Sequence, residues 1–518
     1  MSYLNVTNVS HSFGGRQILE NVSFKLQRGE HVGLVGANGE GKSTFLNIVT
    51  GHVLPDDGKV EWPGKATVGY LDQQSTLQKG MTIREVLHTA FDALYEKEQQ
   101  MLDYYEKMGD ATPEEMDKMM NAVGEIQTEL EHAGFYSLDS KIEEFANGLG
   151  LGSIGLDKDV SELSGGQRSK VLLTKLLLQN SQILLLDEPT NYLDVEHIEW
   201  LTKFLQEYEH AFILISHDVS FLNNVCNVIY HLENCELTRY TGNYDKFQEM
   251  YAIYQAQKAS AYERQQQEVA KLEDFIALNK ARVATTNMAK SRQRKLDKME
   301  MIEKPREKIK PTFQFKEART PSRFIVEAKD LVLGYDSALT RPVTFNLERG
   351  QKIAIKGVNG LGKTTLLKTI LGIIPPFSGK VELGEFLEPG YFEQEEREKN
   401  DKTALEDVWD AYPGMTNYEV RAALAGCGLT NEHITSKVFV LSGGEAAKVR
   451  LCKVMLKDVN WLVLDEPTNH LDVDAKEELQ RALKAFKGSV LLVSHEPEFS
   501  EGWVDKVWNI EDWTTKII

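Results

Sequence analysis

Two carboxylate pairs, Asp187-Glu188 and Asp465-Glu466, each close a short apolar run, residues 183–186 and 461–464. One carboxylate at such a strand end can hold a divalent cation, directly or through water, while its neighbour orients and activates an attacking water. Upstream of each pair stands a glycine-rich loop, GANGEGKS from Gly36 and GVNGLGKT from Gly357. Each loop follows an apolar strand pattern and opens a helical one. In that context backbone amides and the positive end of the next helix cradle phosphates. Gly36, Asn38, Gly39, Gly41, Lys42, Ser43 and Thr44 form the first candidate phosphate site, and Gly357, Asn359, Gly360, Gly362, Lys363, Thr364 and Thr365 the second. Lys42 and Lys363 would reach the β and γ phosphates, and Ser43 and Thr364 would offer a hydroxyl to Mg beside Asp187 and Asp465.

The elements that must position these groups occur twice. Gln73 lies 37 positions after Gly36, and Gln394 lies 37 after Gly357. Ser164 of an LSGGQ run precedes Asp187 by 23, and Ser442 of an LSGGE run precedes Asp465 by 23; His217 and His495 each follow their aspartate by 30. Two copies of one domain account for this. One interval differs, 91 positions from Gln73 to Ser164 against 48 from Gln394 to Ser442, which places 43 extra residues in the first copy. Within them, residues 87–108 and 116–130 carry apolar side chains at helical spacing, and Thr112, Pro113 and Glu115 form an N-cap, a first helical position and a capping-box partner. The expected antiparallel hairpin is acidic, with twelve carboxylates and three lysines over residues 92–131.

Between the copies, residues 248–304 contain neither glycine nor proline, which suits long helices with a break at residues 284–287. The stretch 280–298 holds seven basic side chains (Lys280, Arg282, Lys290, Arg292, Arg294, Lys295 and Lys298) and one acidic one. Such a run inside an acidic chain asks for an anionic partner.

These motifs together, with LLLDEPTNYLD from Leu184 and LVLDEPTNHLD from Leu462, resemble the full motif set of an ABC ATPase domain, present twice. The resemblance implies an α/β fold of two tandem P-loop ATPase domains in a head-to-tail sandwich. Signature residues Ser164, Gly165, Gly166 and Gln167 would close over ATP held by Lys363, and Ser442, Gly443, Gly444 and Glu445 over ATP held by Lys42. It also implies that Gln73 and Gln394 touch Mg or the water, that Glu188 and Glu466 are catalytic, that His217 and His495 contact the γ-phosphate, and that Phe13 and Tyr335 stack on adenine. Glu445 departs from the glutamine of the first copy.

Two cassettes in one chain, an arm in the first and a charged two-helix linker are similar to the ABC-F group, as are YTGNYDKF from Tyr240 and the linker sequence itself. The layout reads as a first cassette at 1–250 with an arm at about 88–132, a linker at 251–312 and a second cassette at 322–518. The resemblance implies a monomer that binds the ribosome at the tRNA exit site. There the linker would face large-subunit RNA and the peptidyl tRNA, and the arm the mobile stalk. Action as a translation factor is expected ahead of antibiotic protection of the ribosome. The alternative is the ATP-binding subunit of a transporter with separate membrane subunits.

Composition fits a cytoplasmic ATPase without membrane segments. No apolar run approaches the ~18 residues of a membrane span, and residues 1–8 alternate like a strand instead of presenting a signal peptide. Cys226, Cys235, Cys427 and Cys452 have no paired spacing and read as free thiols. The net charge of -19 favours solubility. It argues against an RNA partner only until the basic run is noticed.

Overall fold

The computed structural model describes residues 2–13, 16–64, 66–71, 77, 79–109, 112–191, 193–279, 286–299, 301, 310–335, 337–358, 360–393, 400–494 and 496–514. Each copy centres on a parallel sheet. In the first the order is Val68–Tyr70, Ile183–Asp187, Ala211–Ile215, His31–Val35 and Val228–Glu233, with Glu236–Thr241 added antiparallel at the edge. In the second it is Pro389–Phe392, Trp461–Asp465, Ser489–Val493, Lys352–Lys356 and Lys506–Asn509. Strands buried on both faces read as unbroken apolar runs, and their alternate residues feed two cores. Ile183 and Leu185 pack toward Phe45 and Leu46 of the P-loop helix, whereas Leu184 and Leu186 pack toward Leu173 and Leu177 of the signature helix. Trp461 and Val463 are divided from Leu462 and Leu464 in the same way.

A three-stranded antiparallel sheet caps each domain, Arg16–Gln27, Ser2–Phe13 and Asp57–Glu61 in the first copy, and Val343–Glu348, Phe324–Val332 and Ser378–Leu383 in the second. The inserted arm is the helix pair Asp92–Met108 and Pro113–His132. Thr112 opens its second helix with a capping box, in which the Thr112 amide donates to Glu115 Oε2 at 3.0 Å. The first arm segment is not one continuous helix over 87–108. Helix Ile83–His88 ends at a 3-10 turn, Thr89–Phe91, because Thr89 Oγ1 donates back to the Val86 carbonyl at 2.6 Å while Phe91 turns into the core.

The linker begins as helix Tyr244–Asn279, rooted in the first cassette by buried Tyr244 and Phe247 and by a 2.6 Å hydrogen bond from the Tyr251 hydroxyl to Glu233. Helix Thr286–Asp297 folds back on it, with Arg292 over the Phe275 ring at 4.4 Å and Lys295 paired with Glu268 at 2.7 Å. The returning chain then enters the second cassette, where Phe313 and Phe315 are buried with Leu424, Cys427 and Phe486. Among the described residues, no helix is long and apolar enough to cross a membrane.

Candidate functional site

Each P-loop helix starts from a glycine in the left-handed region, Gly41 at φ 101° and Gly362 at φ 95°. A side chain at Gly41 would also strike Ile18, so sterics and backbone both require glycine there. Lys42 Nζ donates to the carbonyls of Gly36 and Ala37, both at 2.9 Å, and Lys363 Nζ to those of Gly357 and Val358 at 2.7 and 3.2 Å. Burial pulls both ammonium groups below their ordinary pKa.

The strand-end carboxylates face these loops. Thr364 Oγ1 donates to Asp465 Oδ2 at 2.7 Å, and Ser43 bonds Asp187. Asp465 is fully buried, its Oδ1 has no hydrogen-bond partner, and burial pushes its carboxyl up to about 6. A hydroxyl beside a buried, under-satisfied carboxylate is the hard oxygen set that suits Mg. Glu188 and Glu466 both sit at φ 49°, a left-handed conformation that a glutamate adopts only when its surroundings impose it. Their amides are held by the carbonyls of Ile215 and Val493 at 2.9 and 3.0 Å. Burial first, then the charge of Asp187, pushes Glu188 up to about 8. His217 lies 3.5 Å from Glu188, and burial followed by Lys42 and Lys476 drives it down to about 3. At neutral pH this contact therefore involves an uncharged imidazole. Glu466 accepts a 2.7 Å hydrogen bond from Asn469.

The structure brings the two copies together head to tail. Ser164 and Ser442 each N-cap their signature helix, Gly165–Leu178 and Gly443–Leu456, in a capping box. Asn38 Nδ2 donates to the His470 carbonyl across the seam at 2.8 Å. Glu445 Oε1 lies against Gly39, and a side chain on Gly444 would collide with Asn38. Opposite, Gly360, Gly362, Lys363, Thr364 and Thr365 share a cleft of about 2180 Å³ with Ser164, Gly165, Gly166 and Gln167. Tyr335 lines that cleft and is 63% exposed; Phe13 is 52% exposed and meets His11 edge-on at 4.6 Å. Gln73, Gln394, Asn359, His495, Lys280 and Arg282 lie outside the described residues. Lys290, Arg292, Arg294, Lys295 and Lys298 are exposed on or just after the second linker helix.

Further groups emerge only in three dimensions. Lys170 pairs with Asp194 at 3.4 Å and Lys448 with Asp472 at 3.0 Å, tying each signature helix to the loop that follows its own Asp-Glu pair. Those aspartates also face the opposite P-loop lysines, Asp194 toward Lys363 and Asp472 toward Lys42. Their repetition, seven residues after Asp187 and Asp465, was a usable signal. His433, 3.2 Å from Glu445, has no counterpart of its type in the first copy and left no such signal.

The family model described as ABC transporter matches residues 19–191 and 340–469, and a second model of that description matches 230–315. YfmM of Bacillus subtilis, an uncharacterised ABC transporter ATP-binding protein, is 61% identical over 100% of both chains. ABC transporter F family member 5 of Arabidopsis thaliana is 36% identical, covering 99% of this chain and 75% of that protein. The probable ATP-binding protein YheS of Escherichia coli K12 is 32% identical, covering 96% and 77%. Among solved structures, RNase-L inhibitor aligns with a TM-score of 0.57 at 19% identity, over 97% of this chain and 87% of that one. A chain from a model of ribosome-bound archaeal Pelota and ABCE1 aligns at 0.58 and 20%, over 97% and 76%. At these identities the structural likeness is one of fold.

Proposed function

Since the chain belongs to the ABC-F family and is an ATPase built from two ATP-binding cassettes, we propose that it is a nucleotide-gated ribosome factor, with residues 1–250 and 322–518 as the cassettes and 251–312 as the linker. ATP is held between the P-loop of one cassette and the signature helix of the other. Lys42 and Lys363 bind its phosphates, with Tyr335 and Phe13 against the base. Ser43 and Asp187, or Thr364 and Asp465, together with Gln73 or Gln394, would hold Mg, which would offset phosphate charge. Glu188 and Glu466 orient and deprotonate the attacking water, and His217 and His495 contact the γ-phosphate. ATP binding closes the seam, the closed form fits the tRNA exit site, and hydrolysis reopens it. The linker acts there on the peptidyl tRNA or the peptidyl-transferase centre, as expected of a translation factor.

The observation that carries this reading is the basic face of the second linker helix, borne on a hairpin rooted in both cassettes. Its charges suit RNA phosphates. An arm with nine more carboxylates than lysines over residues 92–131 suits a basic protein of the stalk better than RNA. Lys290, Arg294 and Lys298 are the residues to reverse, because Arg292 and Lys295 also hold the hairpin together. Changing these three to Glu is expected to weaken ribosome co-sedimentation and to lower the salt slope of binding by about one for each phosphate no longer neutralised. Unchanged binding with unchanged salt dependence would contradict the reading. Membrane association indifferent to the linker would favour a transporter's ATP-binding subunit.

A further inference from the structure

The two signature helices present different chemistry to the P-loops they face. In the first copy the Ser164 amide donates to Gln167 Oε1 at 3.0 Å, and in the second the Ser442 amide donates to Glu445 Oε2 at 2.9 Å. An amide has been exchanged for a carboxylate in the same capping box. The exchange comes with a second one. Nine residues before Ser442 stands His433, on the short helix Asn431–Thr435; nine residues before Ser164 stands Gly155, where an added side chain would meet open space. His433 Nε2 faces Glu445 Oε1 at 3.2 Å, and both residues are buried. The Thr430 amide donates to His433 Nδ1 at 3.4 Å, which assigns the hydrogen of a neutral ring to Nε2, the nitrogen that faces the carboxylate. Both side chains meet the first P-loop: a Cβ on Gly39 would fall 2.5 Å from Glu445 Oε1 and 3.8 Å from His433 Cε1. A buried carboxylate requires donors, and beside a loop that takes phosphates it also repels the ligand; the amide of Gln167 does neither.

We propose that His433 is a positioning residue for ATP binding at the first site: its Nε2 hydrogen holds the Glu445 carboxylate against the P-loop and offsets the charge that the second signature brings to the phosphates. His433 and Glu445 then act as one unit in place of Gln167, and the second site has no use for such a partner. The inference rests on the proposed pairing of Lys42 with the second signature across the seam.

The test is equilibrium binding of Mg-ATP to the full-length protein with hydrolysis blocked by Glu188→Gln and Glu466→Gln. Adding Lys363→Met leaves the first site to be read, and adding Lys42→Met leaves the second. His433→Ala should weaken ATP at the first site about tenfold, the scale for a buried acceptor that loses a donor, and leave the second within about twofold. Adding Glu445→Gln should abolish the loss caused by His433→Ala, because an amide does not depend on that donor. No weakening, equal weakening at both sites, or a loss that persists with Glu445→Gln would overturn the proposal. His433→Phe keeps a ring in the space while removing the donor, so it should reproduce the alanine result. If the alanine variant does not fold, the phenylalanine variant decides, and wild-type affinity in it overturns the proposal. If Lys42→Met leaves both sites binding, the reading of Lys42 as a phosphate ligand fails first, and this inference with it. If Lys42→Met removes one site and His433→Ala changes nothing, only the role of His433 fails.

Discussion

Asp465 shows what burial does to a carboxylate placed beside a P-loop hydroxyl. Its carboxyl is pushed up to about 6 because the charged form is desolvated, with Thr364 and Lys363 only partly compensating. The linkage runs opposite to the usual aspartate. The folded value lies above the unfolded one, so the nucleotide-free fold binds the extra proton and this group's contribution to stability falls as pH rises from the unfolded value toward 6. A cation beside the carboxylate reverses the preference and expels that proton. From this group, Mg-ATP binding is therefore expected to release protons near pH 6 and progressively fewer toward about pH 8. Calorimetry in buffers of different ionisation enthalpy reads this directly, and proton uptake near pH 6 would contradict it. Local chemistry of this kind was legible in the sequence, because GKT and the Asp-Glu pair announce themselves by type and order. The contact from Asn38 to the His470 carbonyl was not, since it joins residues 432 positions apart and its acceptor is a backbone oxygen that no residue type marks.

Among the elements, the linker is rooted in both cassettes, the route by which nucleotide state would reach the ribosome under the proposed function. Phe313 is 1% exposed, and its amide donates to Glu478 Oε1 on the helix that carries Lys476. Phe313 and Phe315 share a core with Leu424, Ala447 and Leu451, the last two on the second signature helix. Phe313→Ala should cost about 3–5 kcal/mol through reduced burial and a residual cavity. The effect should appear as faster hydrogen exchange in helices Asn417–Gly426 and Gly443–Leu456, with the first cassette unchanged. Exchange unchanged in both helices would show that this segment is not an anchor. Helical spacing revealed the arm, and the lack of glycine and proline the linker helices, yet the spacing ran straight through Thr89–Phe91, because a 3-10 turn preserves much of the apolar rhythm while redirecting the chain. The roots were invisible for another reason: a phenylalanine pair after a charged helix gives no sign of which core it enters.

At the scale of the whole molecule, an acidic chain of net charge -19 carries its basic face on one hairpin between two ATP-binding cassettes. The twofold repeat disclosed both cassettes, and the resemblance to ABC ATPases implied their head-to-tail pairing. The unlike seams were less legible: one packs Glu445 and His433 against Gly39, and the other opens as a broad cleft. Only the exchange of glutamine for glutamate hinted at that inequality, and closure of both seams is what the proposed ribosome-binding form requires. The most direct test is co-sedimentation of the Glu188→Gln, Glu466→Gln double variant with ribosomes in ATP and in ADP. Retention with ATP and release with ADP is the predicted result; equal retention in both nucleotides, or none in either, would contradict a nucleotide-gated ribosome factor.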